Sequence, residues 1–221
     1  MIELPVLSQT GESLGTVKVD EALLGGELRH DLLKQAYVRI HANKRLGTSA
    51  TKGRSQVEGS TRKIYKQKGT GNARHGAVRA NLFKGGGHSK AKSPKSWRQG
   101  MPVKMRRLAN RNAILAKAID GEIRLVDKLD FDKPSTKAFA GMLEAMKIDR
   151  SCLVAMASTT GPGARSARNL PSVSLTHIDR LNVFDLLTHR YLVAEKDAFV
   201  TYLERVKTQL VAQQSEGATD A

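Results

Sequence analysis

The run Arg62-Lys63-Ile64-Tyr65-Lys66-Gln67-Lys68-Gly69-Thr70-Gly71-Asn72-Ala73-Arg74-His75-Gly76 reads as neither helix nor strand, and the organisation of the chain follows from that. It has no apolar period, five cations and no acid. It lies inside a longer segment, 47–100, that holds 10 of the 19 glycines. Large apolar residues there are confined to Val57, Ile64, Tyr65, Val78, Leu82, Phe83 and Trp97. Seven in 54 residues cannot offset the backbone entropy of ordering, about 1–2 kcal/mol per residue. Alone, the segment is expected to lack fixed structure, and so long a stretch inserted in a compact domain is usually functional.

Charge separates the same region. Residues 39–111 hold 20 Lys+Arg and one acid, Glu58, whereas the other 148 residues hold 17 Lys+Arg and 20 acids. The net charge of +16 therefore belongs to one intensely basic segment on a near-neutral body. Such segregation points to a polyanionic partner, nucleic acid before membrane. No apolar run approaches the roughly 18 residues of a membrane span. The start, Met1-Ile2-Glu3-Leu4-Pro5, lacks the pattern of a secretory signal. A single cysteine, Cys152, excludes an internal disulfide and a zinc ribbon and fits a reducing compartment. The expectation is a soluble intracellular protein.

Around the segment the pattern is regular. Residues 2–7 and 15–19 read as a hairpin about Gln9-Thr10-Gly11-Glu12. Leu28, Leu32, Leu33, Ala36, Tyr37 and Ile40 recur at helical spacing, predicting a helix over 27–46. Pro102 opens a second helix, 102–119, with Met105, Leu108, Leu115 and Ile119 inward and Lys104, Arg107 and Arg111 opposite. Beyond 122, strands (123–126, 152–157, 173–176, 191–194) alternate with helices (134–147, 162–168, 183–187, 196–211). That alternation predicts an α/β fold, a mostly parallel sheet flanked by helices, from which the basic loop projects. Residues 1–46 and 101–212 form one globular domain in this reading, 47–100 the extended RNA-binding loop, and 213–221 a flexible tail.

Catalytic chemistry finds no support. Gly161-Pro162-Gly163 follows a strand, but the third glycine of a dinucleotide fingerprint would fall at Ser166, and a tight turn explains the run better. Gly69-Thr70-Gly71 lacks the Gly-Lys-Ser/Thr ending of a phosphate-binding loop. The six histidines show no metal-ligand spacing, and Cys152 reads as a buried small hydrophobe. No enzyme, cofactor, metal, membrane or small-molecule substrate is expected.

The basic segment does carry a mechanism. Arg45, Lys52, Arg54, Arg62, Lys63, Lys66, Lys68, Arg74 and Arg79 are candidate phosphate contacts, as are Lys84, Lys90, Lys92, Lys95 and Arg98. Lys104, Arg107 and Arg111 continue that surface on the second helix. Tyr65, Phe83 and Trp97, interleaved singly, have the spacing of stacking platforms, with His75 beside them. Glycines at 69, 71 and 76 let backbone N–H groups approach phosphate oxygens. Two rival readings exist: an RNA-modifying enzyme with a cofactor at 161–163, and a non-specific DNA-condensing protein.

From Gly59-Ser60-Thr61-Arg62 through His75-Gly76 the chain resembles the universal fourth protein family of the large ribosomal subunit, bacterial type. The likeness continues at Gly85-Gly86-Gly87, Pro94-Lys95-Ser96-Trp97, Lys104-Met105-Arg106-Arg107-Leu108-Ala109 and Ala167-Arg168-Asn169-Leu170. Gln67-Lys68-Gly69-Thr70-Gly71 is its most specific string. The chain departs from the family at Ile64-Tyr65, where Pro-Trp is usual, at Asn72, where a second Arg is usual, and at Phe83-Lys84, where Trp-Arg is usual. The resemblance implies a structural constituent of the large subunit that binds ribosomal RNA early in assembly. It also implies a loop contacting several RNA domains, with its tip at 62–79 in the wall of the peptide exit tunnel, Lys68 and Arg74 nearest. The partners implied are large-subunit ribosomal RNA and neighbouring ribosomal proteins at the tunnel.

Excising 47–100 and bridging the cut with a short linker should leave a folded monomer. Circular dichroism and size-exclusion chromatography test this, and failure to fold would make the segment part of the core.

Overall fold

The computed structural model describes residues 1–131 and 133–219, with side chains through Ala212. Its backbone divides into two units, Met1–His41 with Gly100–Ala221, and Ala42–Gln99.

The first unit is built on a six-stranded sheet. β1 (Ile2–Leu7) and β2 (Ser13–Val19) form the expected hairpin, antiparallel, with Glu3 opposite Lys18 and an ion pair of 3.3 Å between them. β3 (Ile123–Val126), β4 (Cys152–Met156), β5 (Val173–His177) and β6 (Tyr191–Glu195) are all parallel to their neighbours. The order is β2-β1-β3-β6-β4-β5, so the last strand in sequence fills the centre. The α/β class with a mostly parallel sheet holds.

Both faces of the central strands β4 and β6 are covered, which explains why these strands are continuous apolar runs. Leu153 and Ala155 of β4 and Leu192 and Ala194 of β6 point into one core, with Leu4, Val6, Ile123 and Leu125. Cys152, Val154, Met156, Val193 and Val126 point into the other. The helices α1 (His30–Asn43), α2 (Val103–Ile119), α5 (Val183–Thr188) and α6 (Lys196–Thr219) supply side chains to the first core. Helices α3 (Thr136–Ala145) and α4 (Pro162–Ala167) supply the second through Phe139, Met142, Leu143, Ala164 and Ala167. Cys152 lies fully buried there, and burial pushes its thiol up to about 11.

Two expected helices are differently placed. α1 begins at His30 rather than 27, because the Asn112 side chain captures the loop before it. Asn112 is wholly buried; its Oδ1 accepts from the Arg29 N–H at 2.7 Å, while Nδ2 donates to the carbonyls of Leu24 at 3.3 Å and Glu27 at 2.9 Å. In α2, Met105 (36% exposed) and Ile119 (58%) point outward, correcting the expected inward stripe. The inward residues are Ala109, Asn112, Ala113, Ile114, Leu115, Lys117 and Ala118. From 112 the helix is enclosed nearly all round, so no single stripe describes it. α6 runs past the expected end at 211; of the tail expected over 213–221, Asp220 and Ala221 lie outside the described residues.

At the far end of α2 a second buried polar group is satisfied. Lys117 Nζ donates to Glu122 Oε2 and to the Arg190 carbonyl at 2.8 Å, and Arg190 Nε meets Glu122 Oε1 at 2.7 Å. This joins α2 to the entrances of β3 and β6.

Replacing Asn112 with Ala strands a buried N–H and two carbonyls, and is expected to lower stability by about 2–4 kcal/mol. Gly25 (φ +110°) would bring a Cβ to 2.7 Å from Asn112 Nδ2, so Gly25→Ala destabilises as well. In urea unfolding the two costs should add only in part, since Asn112→Ala removes the Nδ2 collision but leaves the positive φ and the Leu108 Cδ1 contact at 3.0 Å. Simple additivity would show that the two residues do not share one contact.

Candidate nucleic-acid interface

The unit Ala42–Gln99 carries 15 Lys+Arg against Glu58. Its order comes from backbone pairing between an outgoing and a returning limb. The Lys95 N–H donates to the Gly47 carbonyl at 3.0 Å, Thr51 to Lys92 at 2.9 Å, His88 to Lys52 at 2.9 Å, and Ile64 to Gly76 at 3.1 Å. An antiparallel bridge pairs Lys63 with Ala77. The partners are nested, so the limbs run antiparallel without forming regular strands. This gives the segment a defined path that its apolar content alone does not predict.

Glycines allow the limbs to approach. A Cβ on Gly87 would lie 2.2 Å from the Arg54 nitrogen, and one on Gly47 (φ +69°) would lie 2.0 Å from the Lys95 carbonyl oxygen. These are backbone collisions that no side-chain rearrangement relieves.

Some of the candidate residues are brought together. Tyr65, His75 and Phe83 form a small aromatic cluster, with ring centroids 6.2 Å and 5.0 Å apart in edge-on contacts. The Tyr65 hydroxyl donates to the Ala73 carbonyl and Lys63 Nζ to the His75 carbonyl at 2.8 Å, which closes the turn at 64–76. Trp97 has the Arg45 guanidinium 3.9 Å from its ring centre and Lys95 Nζ at 4.6 Å. Its ring is therefore a mount for two cations, a role its spacing did not disclose. Arg79, half-buried, reaches the Val57 carbonyl at 3.5 Å.

The remaining candidates stand apart. Lys52, Arg54, Arg62, Lys66, Lys68, Arg74, Lys84, Lys90, Lys92 and Arg98 are exposed. Lys44 aside, the cations of this unit form no ion pair among the described residues. Lys104 and Arg107 are exposed on α2, whereas Arg111 is half-buried, its pKa lowered by desolvation despite the counter-pull of Tyr202. The supporting glycines 47 and 87 were not singled out for these close approaches, since no local pattern marks which distant backbone a glycine will meet.

The enzyme alternatives find no geometry. Gly163 would place a Cβ 2.1 Å from the Leu129 carbonyl oxygen, so the 161–163 turn is packed against chain. Ser166 Oγ is used up, accepting from the Ser135 N–H at 2.9 Å and donating to the Pro162 carbonyl at 2.8 Å. Among the described residues no group of three or more His, Cys, Asp or Glu could hold a metal, and no helix is long and apolar enough to cross a membrane.

A near-neutral α/β body and a segregated polycationic segment define a class, the basic structural proteins of nucleoprotein particles. Residues 17–205 match the model of the ribosomal protein L4/L1 family, and the chain belongs to that family. It is 38% identical over 197 residues to the large ribosomal subunit protein uL4 of Dehalococcoides mccartyi, covering 89% of this chain and 94% of the relative. The corresponding figures are 39% over 198 residues (90% and 96%) for uL4 of Pelotomaculum thermopropionicum, and 37% over 207 (93% and 99%) for uL4 of Natranaerobius thermophilus. The resemblance drawn from residues 59–76 is thereby shown.

Gly87→Ala should break the crossing of the limbs while leaving every charge in place. Trypsin should then cut at 52–92 faster than in the parent chain, with the melting temperature of the body unaltered. An unaltered cleavage pattern would mean that the limbs do not depend on this approach.

Proposed function

We propose that the chain, a protein of the large ribosomal subunit and not an enzyme, is a primary binder of large-subunit ribosomal RNA that joins early in assembly. In this reading 47–100 contacts several RNA domains and its turn at 62–79 lines the peptide exit tunnel, beside neighbouring ribosomal proteins. The chain works in the cytoplasm, on the ribosome.

The observation that carries the reading is the unneutralised charge of 42–99. Exposed arginines and lysines on a path fixed mainly by backbone hydrogen bonds have no internal reason to be held together, since their mutual repulsion costs stability until phosphates neutralise it. Binding releases condensed counterions, which offsets the ordering of a segment poor in core. In this reading the contacts go to phosphate and shape more than to base edges, as expected for recognition of folded RNA. Tyr65, His75 and Phe83 keep the turn in form, leaving Lys66, Lys68 and Arg74 outward at its end.

With about ten phosphates neutralised, affinity for a 5′ fragment of large-subunit ribosomal RNA should fall with a log–log salt slope of roughly −7 to −9. Filter binding should show preference for that fragment over duplex DNA and an unrelated folded RNA at about 0.15 M salt. Equal binding to all three would leave only non-specific attraction. Lys68→Glu and Arg74→Glu should alter translation and the response to tunnel-directed antibiotics while leaving the body's melting temperature in place; unaltered translation would remove the tunnel role.

A further inference from the structure

Two cavities adjoin on the body, lined in part by Arg107 and Arg111, which continue the basic surface on α2. The first, about 290 Å³, lies between α2, the turn Ile178–Arg180 and α6, with Tyr202, Val206 and Leu210 in its wall. The second, about 470 Å³, lies between α1, α2 and the same turn, with Ala36, Ile40 and Asn182 in its wall. They share Arg107, Asn110, Asp179 and Leu181 and so form one groove.

Six arginines line that groove: Arg39, Arg106, Arg107, Arg111, Arg180 and Arg205. Asp179 is the one acid among the lining residues and is already engaged, by Arg205 Nη1 at 2.7 Å. The Nε atoms of Arg39 and Arg111 are buried with no hydrogen-bond partner among the described residues. Buried donors without acceptors are uncommon in folded proteins and call for an acceptor the chain does not supply. Desolvation and the like charge of Arg107 both disfavour the charged form of Arg111, a penalty that an anion in the groove would relieve.

The first cavity, which Arg107, Arg111 and Arg205 line, also has a wall of different chemistry. Leu181, Val206, Leu210 and the half-buried ring of Tyr202 make an apolar wall. Burial raises the Tyr202 pKa, so its hydroxyl remains a donor at neutral pH. Asn110, which lines both cavities, donates from Nδ2 to the Leu181 carbonyl at 3.1 Å. A bare phosphate would meet the arginines and leave the apolar wall uncovered. A ligand with several phosphate oxygens and a flat, partly apolar body with hydrogen-bonding edges would meet both.

We propose that this groove is a nucleotide-binding site, with phosphates held by the guanidinium forks and the base against Tyr202. The volume is within the range of small-molecule sites, and arginine forks match phosphate oxygens in pairs. A free nucleotide and an unpaired nucleotide within an RNA strand present the same chemistry. The site uses no residue of 42–99 but takes in Arg107 and Arg111 of the proposed ribosomal-RNA surface; its own readout is the dependence on Arg106, Arg180 and Tyr202, which that reading does not use.

Calorimetric titration of the full chain with ATP, GTP, pyrophosphate and a 5′-phosphorylated tetranucleotide, at about 0.15 M salt, tests the site. Arg106→Ala/Arg180→Ala removes two exposed arginines that make no side-chain hydrogen bond among the described residues, and should weaken nucleotide binding about tenfold or more. Lys68→Ala/Arg74→Ala should leave it unchanged, and Tyr202→Leu should reduce nucleotide affinity to that of pyrophosphate. Melting temperatures check that each variant is folded. Binding of mononucleotides assigns the site to free nucleotide, and binding of the tetranucleotide alone, with the same variant dependence, assigns it to an RNA strand. No binding of either, binding that ignores Arg106→Ala/Arg180→Ala, or equal affinity of the parent chain for pyrophosphate and nucleotide would overturn the proposal.

Discussion

Three hydrogen bonds from one buried side chain fix the body. Asn112 binds backbone groups at Leu24, Glu27 and Arg29, and so decides where the chain leaving the hairpin turns into α1. An amide buried without partners would cost more than the whole contact contributes, so alternative paths for 24–29 are disfavoured as well as the native one favoured. The pair Lys117 and Glu122 has the same role further along, where α2 meets the entrances of β3 and β6. Apolar packing supplies most of the body's stability, and these polar anchors select one arrangement of it.

The unit Ala42–Gln99 follows a different logic. It has small clusters in place of a core: Tyr65 with His75 and Phe83, and Trp97 under Arg45 and Lys95. Backbone pairing through Gly47 and Gly87 sets its course, so side chains are released from structural duty. A polycation arranged this way presents charge at low internal cost in packing, and at a high electrostatic cost that only an anion removes. That is consistent with membership of a ribosomal protein family.

The centre of the sheet was legible because strands buried on both faces are short, unbroken apolar runs such as Cys152 to Met156, and the hairpin because a turn sequence, Gln9-Thr10-Gly11-Glu12, separates two short strand-like runs. The basic segment was legible from charge alone. The inner face of α2 was not: enclosure all round makes alanines and Asn112 as inward as leucine, and a stripe placed Met105 and Ile119 wrongly. Nor could spacing show that Trp97 carries cations or that Arg39, Arg106, Arg180 and Arg205 converge. Those residues lie far apart in sequence, on α1, α2, a 3-10 turn and α6, and topology alone assembles them.

The strand order carries a consequence for synthesis. β6 sits between β3 and β4 and is the last strand to be made, so the halves β2-β1-β3 and β4-β5 remain unjoined until residue 195 has been added. At about 5–20 residues per second, roughly 5–20 s separate the completion of Gln99 from that of Glu195. During this interval the polycation exists and the sheet does not. A chain so ordered can meet an anionic partner before its body has closed, and the two events need not occur in the sequence that a finished structure suggests.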